Sequence, residues 1–152
     1  MRNHAWIALI AGLLIAADAS PDAAIQEDLK QLAGTWKLVS ATRDGVALPT
    51  AEVKQTNITF QTDRFEFPDA SVIGTSQKGT LRLDPAKSPK TMDAIADGDA
   101  KKPIVSLGIY TIDGDHYRVC FAEPGKPRPT EFRAPAGSGL NLQIWKRAKM
   151  KP

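Results

Sequence analysis

The sequence predicts an all-β protein, an antiparallel up-and-down barrel of about eight or nine strands preceded by a short N-terminal helix. Eleven Gly and eleven Pro among 152 residues interrupt the chain too often for long helices. From Thr35 onward, apolar and polar residues alternate with the period of two that is typical of strands. The alternating runs are short and recur at intervals of roughly ten residues, a spacing typical of barrels and sandwiches.

The composition indicates one globular domain and argues against a nucleic-acid partner. The chain is 42% hydrophobic and 24% charged, which suits a single core at this length. Its net charge is +3, and the Lys and Arg residues are scattered among acids rather than gathered beside aromatic residues. Cys120 is the single cysteine, so an internal disulfide is impossible. Because no His base is placed beside it by the sequence, we expect an inert, half-buried thiol rather than a nucleophile.

The first nineteen residues have the three parts of a signal peptide. A short basic start precedes an apolar run over residues 5–17, and Ala17-Asp18-Ala19 matches the pattern that signal peptidase reads. The alternative, a membrane anchor, is less favoured because a transmembrane helix needs about 20 apolar residues, and the run over residues 5–17 is shorter than that. The sequence therefore predicts an exported protein, periplasmic or extracellular, with no stable membrane anchor once residues 1–19 are removed.

Residues 20–33 are predicted to form the N-terminal helix. Ser20 provides an N-cap hydroxyl, Pro21 suits the first helical position, and Gly34 is placed to end the helix. One face carries the apolar stripe Ile25, Leu29 and Leu32. We expect this helix to pack across one mouth of the barrel.

The barrel domain is predicted over residues 34–148, and a frayed tail over residues 149–152. Its first strand contains Trp36, and Asp44-Gly45 and Thr62-Asp63 are expected to turn the chain. One helical turn is expected over residues 50–55. The best hairpin signal is Asp113-Gly114 between two alternating runs. The remaining strands are predicted over residues 57–61, 64–67, 79–83, 91–96, 103–112, 115–122, 130–132 and 140–147, with a weak strand and loop over 69–79.

Trp36 and Arg147 are predicted to close one end of the barrel. Trp36 lies at the start of the first strand and Arg147 at the end of the last, and these positions meet when the sheet closes. A guanidinium lying on an indole ring contributes roughly 0.5–2 kcal/mol.

Several short motifs follow one another through the chain. They include the run from Leu29 to Trp36, Gly108-Ile109-Tyr110, the run from Arg118 to Ala122, Arg128-Pro129-Thr130-Glu131-Phe132 and Lys146-Arg147. In this order they are similar to a small lipocalin-like domain of uncharacterised planctomycete proteins. The resemblance implies a calycin-type, lipocalin-like barrel, and a fold alone does not imply a function.

The leading hypothesis is an exported, non-catalytic barrel that binds a small apolar or amphipathic ligand. A barrel of about eight strands has room either for packed side chains or for one small ligand. Both outcomes stay open for the candidate lining residues. The two tyrosines are the best candidates to orient a ligand, because a phenol has an apolar body and a hydrogen-bonding tip. The candidates are Tyr110, Tyr117, Phe60, Phe67, Leu38 and Phe121.

The alternative is a periplasmic protein-interaction barrel resembling small protease inhibitors, with the proline-rich loop at residues 124–129 as the contact. Prolines lower the entropy lost when a loop docks. Catalytic, cofactor and metal motifs are not apparent, so we expect no enzyme activity, cofactor or metal site. Arg128 and Glu131 are expected to form a structural ion pair at the rim. The other carboxylates considered for catalysis, none with an acid–base spacing, are Glu66, Asp93 and Asp115.

Overall fold

A computed structural model describes residues 20–68 and 77–149 of the chain. The predicted signal peptide, most of the weak segment at 69–79 and the last three residues of the predicted tail lie outside the described residues. Two helices and nine strands are present in the described part. In chain order they are α1 (Pro21–Leu32), β1 (Gly34–Arg43), β2 (Val46–Ala47), α2 (Thr50–Gln55), β3 (Asn57–Gln61), β4 (Arg64–Glu66), β5 (Lys78–Asp84), β6 (Lys90–Ala96), β7 (Val105–Asp113), β8 (His116–Ala122) and β9 (Leu140–Arg147).

Eight of the strands form a closed antiparallel barrel, and this confirms the predicted fold class. The strands β3 to β9 follow β1 in sequence order, each paired with the next, and β9 pairs with β1 to close the sheet. The closing register runs from Trp36 opposite Arg147 to Arg43 opposite Asn141, with an irregularity between Leu38 and Ser40. The extra strand β2 pairs with the last two residues of β1, beyond the part that pairs with β3.

Tight turns join the early strands where the sequence predicts them. Asp44 and Gly45 both have positive φ (50° and 82°), as the type I′ turn of a two-residue hairpin requires. The β7–β8 hairpin differs from its prediction by one residue. Asp113 pairs with His116, so the turn residues are Gly114 and Asp115, not Asp113 and Gly114. Gly114 has a φ of 56°, which suits the first position of a type II′ turn.

Helix α1 lies at the end of the barrel where β1 begins and β9 ends. The Ser20 hydroxyl accepts a hydrogen bond from the Ala23 amide at 3.2 Å and so caps the helix. Leu29 and Leu32 are buried, and they join the hydrophobic core of the barrel. The apolar stripe predicted from the sequence thus faces the barrel, with Ile25 packed at its margin.

A second apolar layer lies outside the barrel, on β7 and β8. Ile109 and Cys120 point away from the interior and are almost completely buried. The segment over residues 123–139 covers them, and the Cys120 thiol donates to the Arg133 carbonyl at 3.5 Å. The strand predicted over residues 130–132 is wrong, because this stretch has no strand. The Phe132 ring packs instead against Arg118, whose guanidinium carbon lies 4.0 Å from the centroid of the ring.

Candidate functional site: a cavity inside the barrel

A cavity of about 210 Å³ occupies the half of the barrel farther from α1. Most of its wall is apolar and aromatic, contributed by alternate residues of β3 to β8. The charged side chains among its described lining residues are Arg43 and Glu123, and both lie at the rim, where strands end. The lining residues are Arg43, Ile58, Phe60, Phe65, Phe67, Leu81, Met92, Ala94, Ala96, Ser106, Tyr117, Phe121, Ala122, Glu123, Pro124, Gly139, Asn141 and Gln143.

The opposite end of the barrel is sealed by Trp36 and Arg147 against the end of α1. The Arg147 guanidinium carbon lies 4.2 Å from the centroid of the Trp36 ring. Arg147 also donates to the Ala33 carbonyl at 2.9 Å and to the Gln31 carbonyl at 2.6 Å. The Trp36 indole donates to the Leu32 carbonyl at 2.7 Å. The last carbonyls of a helix lack partners within it, so this pair both covers the barrel and holds the helix on it.

Tyr110 lies at the sealed end, and it does not line the cavity. Its hydroxyl donates to Asp28 of α1 at 2.7 Å. Lys90 donates to the same carboxylate at 2.8 Å, and Asp28 is only 5% exposed. Burial and, next, the hydrogen bond to Asp28 raise the pKa of Tyr110 well above its usual value. The structure therefore places Tyr110 in the attachment of α1, whereas the sequence predicted it as a ligand-orienting residue.

Tyr117 lies at the inner wall of the cavity. Its ring makes edge contacts with Trp36 and with Phe60, each at a centroid distance of 5.8 Å. Its hydroxyl donates to the Met92 sulfur at 3.4 Å. Burial raises the pKa of Tyr117 far above its usual value, so the phenol keeps its proton and acts as a donor. Of the two predicted tyrosines, this one lines the cavity, and its hydroxyl bonds to another lining residue, Met92.

The other predicted lining residues divide between cavity and core. Phe60, Phe67 and Phe121 line the cavity, whereas Leu38 is buried in the core and does not line it. A Cβ on Gly108 would lie 2.6 Å from the Phe121 ring. The Phe121 ring can therefore occupy this position only because its partner on β7, Gly108, has no side chain.

Two cavity residues that the sequence did not nominate come from the last strand. Along β9, Asn141, Gln143 and Trp145 face inward, and the apolar Leu142 and Ile144 face outward. Gln143 is 6% exposed, and its side-chain oxygen accepts from the Trp145 indole at 3.1 Å. Alternation alone predicts the opposite orientation, because it assigns the apolar residues to the interior. The outer layer under residues 123–139 is what makes an apolar outward face favourable here.

Met92 is a third lining residue that the sequence did not nominate. It is 1% exposed and its sulfur accepts from Tyr117. It stands in a strand of low β-propensity, residues 90–96, where a single Met between polar residues carries no distinctive signal.

The proline-rich loop is attached to the outside of the barrel through Arg128. This guanidinium donates to the Met92 and Gly108 carbonyls at 3.2 and 2.8 Å and to Asp93 at 2.7 Å. The predicted Arg128–Glu131 ion pair is wrong, since Glu131 pairs with Arg133 at 2.8 Å. Residues 123–127 of the loop are exposed, and their role in contacting a protein partner stays a prediction.

The single cysteine is buried, and two of the candidate carboxylates are paired with arginines. Burial raises the pKa of the Cys120 thiol, which lies under residues 123–139 rather than in the cavity. Asp93 and Asp115 each pair with an arginine, Arg128 and Arg147 respectively. Within residues 20–68 and 77–149, no group of three His, Cys, Asp or Glu side chains is arranged to hold a metal ion. The arrangement suits binding of an uncharged molecule, because the interior wall offers apolar surface and neutral hydrogen-bonding groups.

Comparisons with protein families, with curated proteins and with solved structures found no match to this chain. In the part of the chain that the structure describes, no helix has the length and apolar character required to span a bilayer.

Proposed function

We propose that this protein binds a small, mainly apolar molecule inside its barrel, without altering it chemically, after export from the cell. The observation that carries the proposal is the cavity of about 210 Å³ whose wall is aromatic and whose described charged residues stand only at the rim. Its lining by Phe60, Phe67, Tyr117 and Phe121 favours a ligand that buries apolar surface. The N-terminal signal pattern supports the proposed export.

Binding in this space would remove apolar wall from water, which contributes about 25 cal/mol for each Å² buried. Larger side chains at Ala94 or Ala96, which both line the cavity, would cover the same wall.

The test is to block the cavity from within. Ala94→Leu adds three carbons to the wall, and Ala47→Leu makes the same change at an exposed position on β2. Toluene, titrated while NMR spectra of the protein are recorded, should shift the signals of Phe121 and Met92 saturably in the wild type and in Ala47→Leu. Ala94→Leu should abolish these shifts.

Two results would contradict the proposal. One is wild-type protein that shows no saturable shift of any cavity residue with toluene. The other is binding that persists unchanged in Ala94→Leu, since the probe would then occupy another place.

A further inference from the structure

The Tyr117 hydroxyl is a strong donor held by a weak acceptor. Tyr117 lines the cavity and is 2% exposed, and its hydroxyl donates to the sulfur of Met92, another lining residue, at 3.4 Å. A thioether is a poor acceptor, whereas a phenol normally bonds to an oxygen at about 2.7–2.8 Å. A ligand oxygen near this hydroxyl would therefore replace a weak bond with a stronger one.

The same wall disfavours a charged ligand group. The charged lining residues of the described chain, Arg43 and Glu123, stand at the rim, so an anion beside Tyr117 would have no cation to balance it. Transfer of an unpaired charge from water into such a site is strongly unfavourable. A neutral acceptor needs only the one donor that the wall provides.

Size gives the second constraint. A cavity of about 150 Å³ holds benzene, so the volume here, about 210 Å³, holds a molecule of roughly eight non-hydrogen atoms by the same ratio. A long acyl chain would extend past the rim. A single substituted ring fits it.

We propose that the ligand is a compact, uncharged molecule with one carbonyl-type acceptor, such as an aryl ketone. Its oxygen accepts the hydrogen bond that the Tyr117 hydroxyl otherwise donates to the Met92 sulfur. This inference rests on the proposed function, and it names the ligand class of the same cavity. Tyr117 is thus the residue that determines specificity for oxygenated over hydrocarbon ligands.

The experiment compares two probes of the same shape, acetophenone and α-methylstyrene, which differ by an oxygen in place of a CH₂ group. Their dissociation constants are measured by NMR titration in the wild type and in Tyr117→Phe. We expect Tyr117→Phe to weaken acetophenone about fivefold, the loss of one hydrogen bond, and to leave α-methylstyrene unchanged or slightly tighter. Tyr110→Phe is the matched control, since it removes a phenol oxygen bonded to Asp28 and not one beside the cavity. It should leave the ratio of the two affinities as in the wild type.

A second variant changes the acceptor rather than the donor. Met92→Leu nearly conserves volume and removes the sulfur that competes for the Tyr117 hydroxyl. Acetophenone should bind more tightly to it, whereas α-methylstyrene should not. The two variants should change the affinity for acetophenone in opposite directions. A general loss of protein stability would not produce this difference.

The outcomes distinguish this inference from the proposed function. If both probes bind the wild type and Tyr117→Phe changes both affinities equally, the carbonyl-type ligand is rejected and apolar binding in the barrel stands. If neither probe binds the wild type and toluene also does not bind, the proposed function is rejected together with the inference.

Discussion

Removing the Arg147 side chain should weaken the attachment of α1 to the end of the barrel, which Trp36 and Tyr110 also hold. In Arg147→Ala, the Gln31 and Ala33 carbonyls lose their donor and the Trp36 ring loses the guanidinium above it. Hydrogen bonds to a charged group contribute about 1.5–3 kcal/mol each. The Arg147 side chain is 31% exposed, so values at or below the lower end apply.

The expected loss is about 3 kcal/mol of unfolding free energy. Two hydrogen bonds at the lower value and a ring contact of about 1 kcal/mol give about 4 kcal/mol. Relaxation of the structure and hydration of the freed carbonyls reduce this sum to the expected loss. The Asp115 pair adds little, because that carboxylate is 67% exposed. Arg147→Lys should lose about 2 kcal/mol, since an ammonium keeps the charge but not the planar fork that reaches two carbonyls.

The assay is urea unfolding followed by tryptophan fluorescence. With a denaturant slope of about 1.5–2 kcal/mol/M, Arg147→Ala should lower the midpoint by about 1.5–2 M. The neighbouring exposed Lys146→Ala should stay within about 0.5 kcal/mol of the wild type. Hydrogen exchange should accelerate in α1 before it does in β7 and β8. A loss below about 1 kcal/mol for Arg147→Ala, or one equal to that of Lys146→Ala, would refute this account of how the helix is held.

Two further substitutions test the attachment of α1 and the cavity wall. Asp28→Ala removes the buried carboxylate that accepts from Tyr110 and Lys90, so it should lower the unfolding free energy by about 2 kcal/mol in urea melts; an unchanged midpoint would show that these contacts are not stabilising. Gly108→Ala places a methyl group 2.6 Å from the Phe121 ring, so it should cost about 1–3 kcal/mol and shift the NMR signals of Phe121. Gly98→Ala, where a Cβ has no neighbour within 4 Å, is the control, and an equal effect of both glycine changes would contradict this reasoning.

Local signals in the sequence account for the parts of the barrel that were predicted well. The Asp44-Gly45 turn needs two residues that tolerate positive φ, and this chemistry lies in adjacent residues. The N-cap of α1 likewise depends on Ser20 and the few residues after it. The prediction over residues 130–132 was wrong because an alternating pattern of three residues is too short to separate a strand from a loop that packs on a sheet.

Alternation shows which face of a strand a residue occupies, but only when one face alone is buried. β9 breaks that condition, because its outward face packs near Cys120 under residues 123–139. Leu142 and Ile144 are therefore outside, and Gln143 lines the cavity. Alternation alone therefore cannot predict which face of β9 points inward, because it assumes that only one face of a strand is buried.

The sequence by itself determined a rolled antiparallel sheet, its short connections and the aromatic residues that turn inward, since these follow from periods and turns within a few residues. Only the tertiary structure decided how far along the barrel axis each inward side chain lies. Tyr110 and Tyr117 both face the interior from neighbouring strands. One bonds to Asp28 at the end that α1 covers, and the other lies beside the open space. That difference arises from strand register and from the helix at one end, and both are interactions between residues distant in the chain.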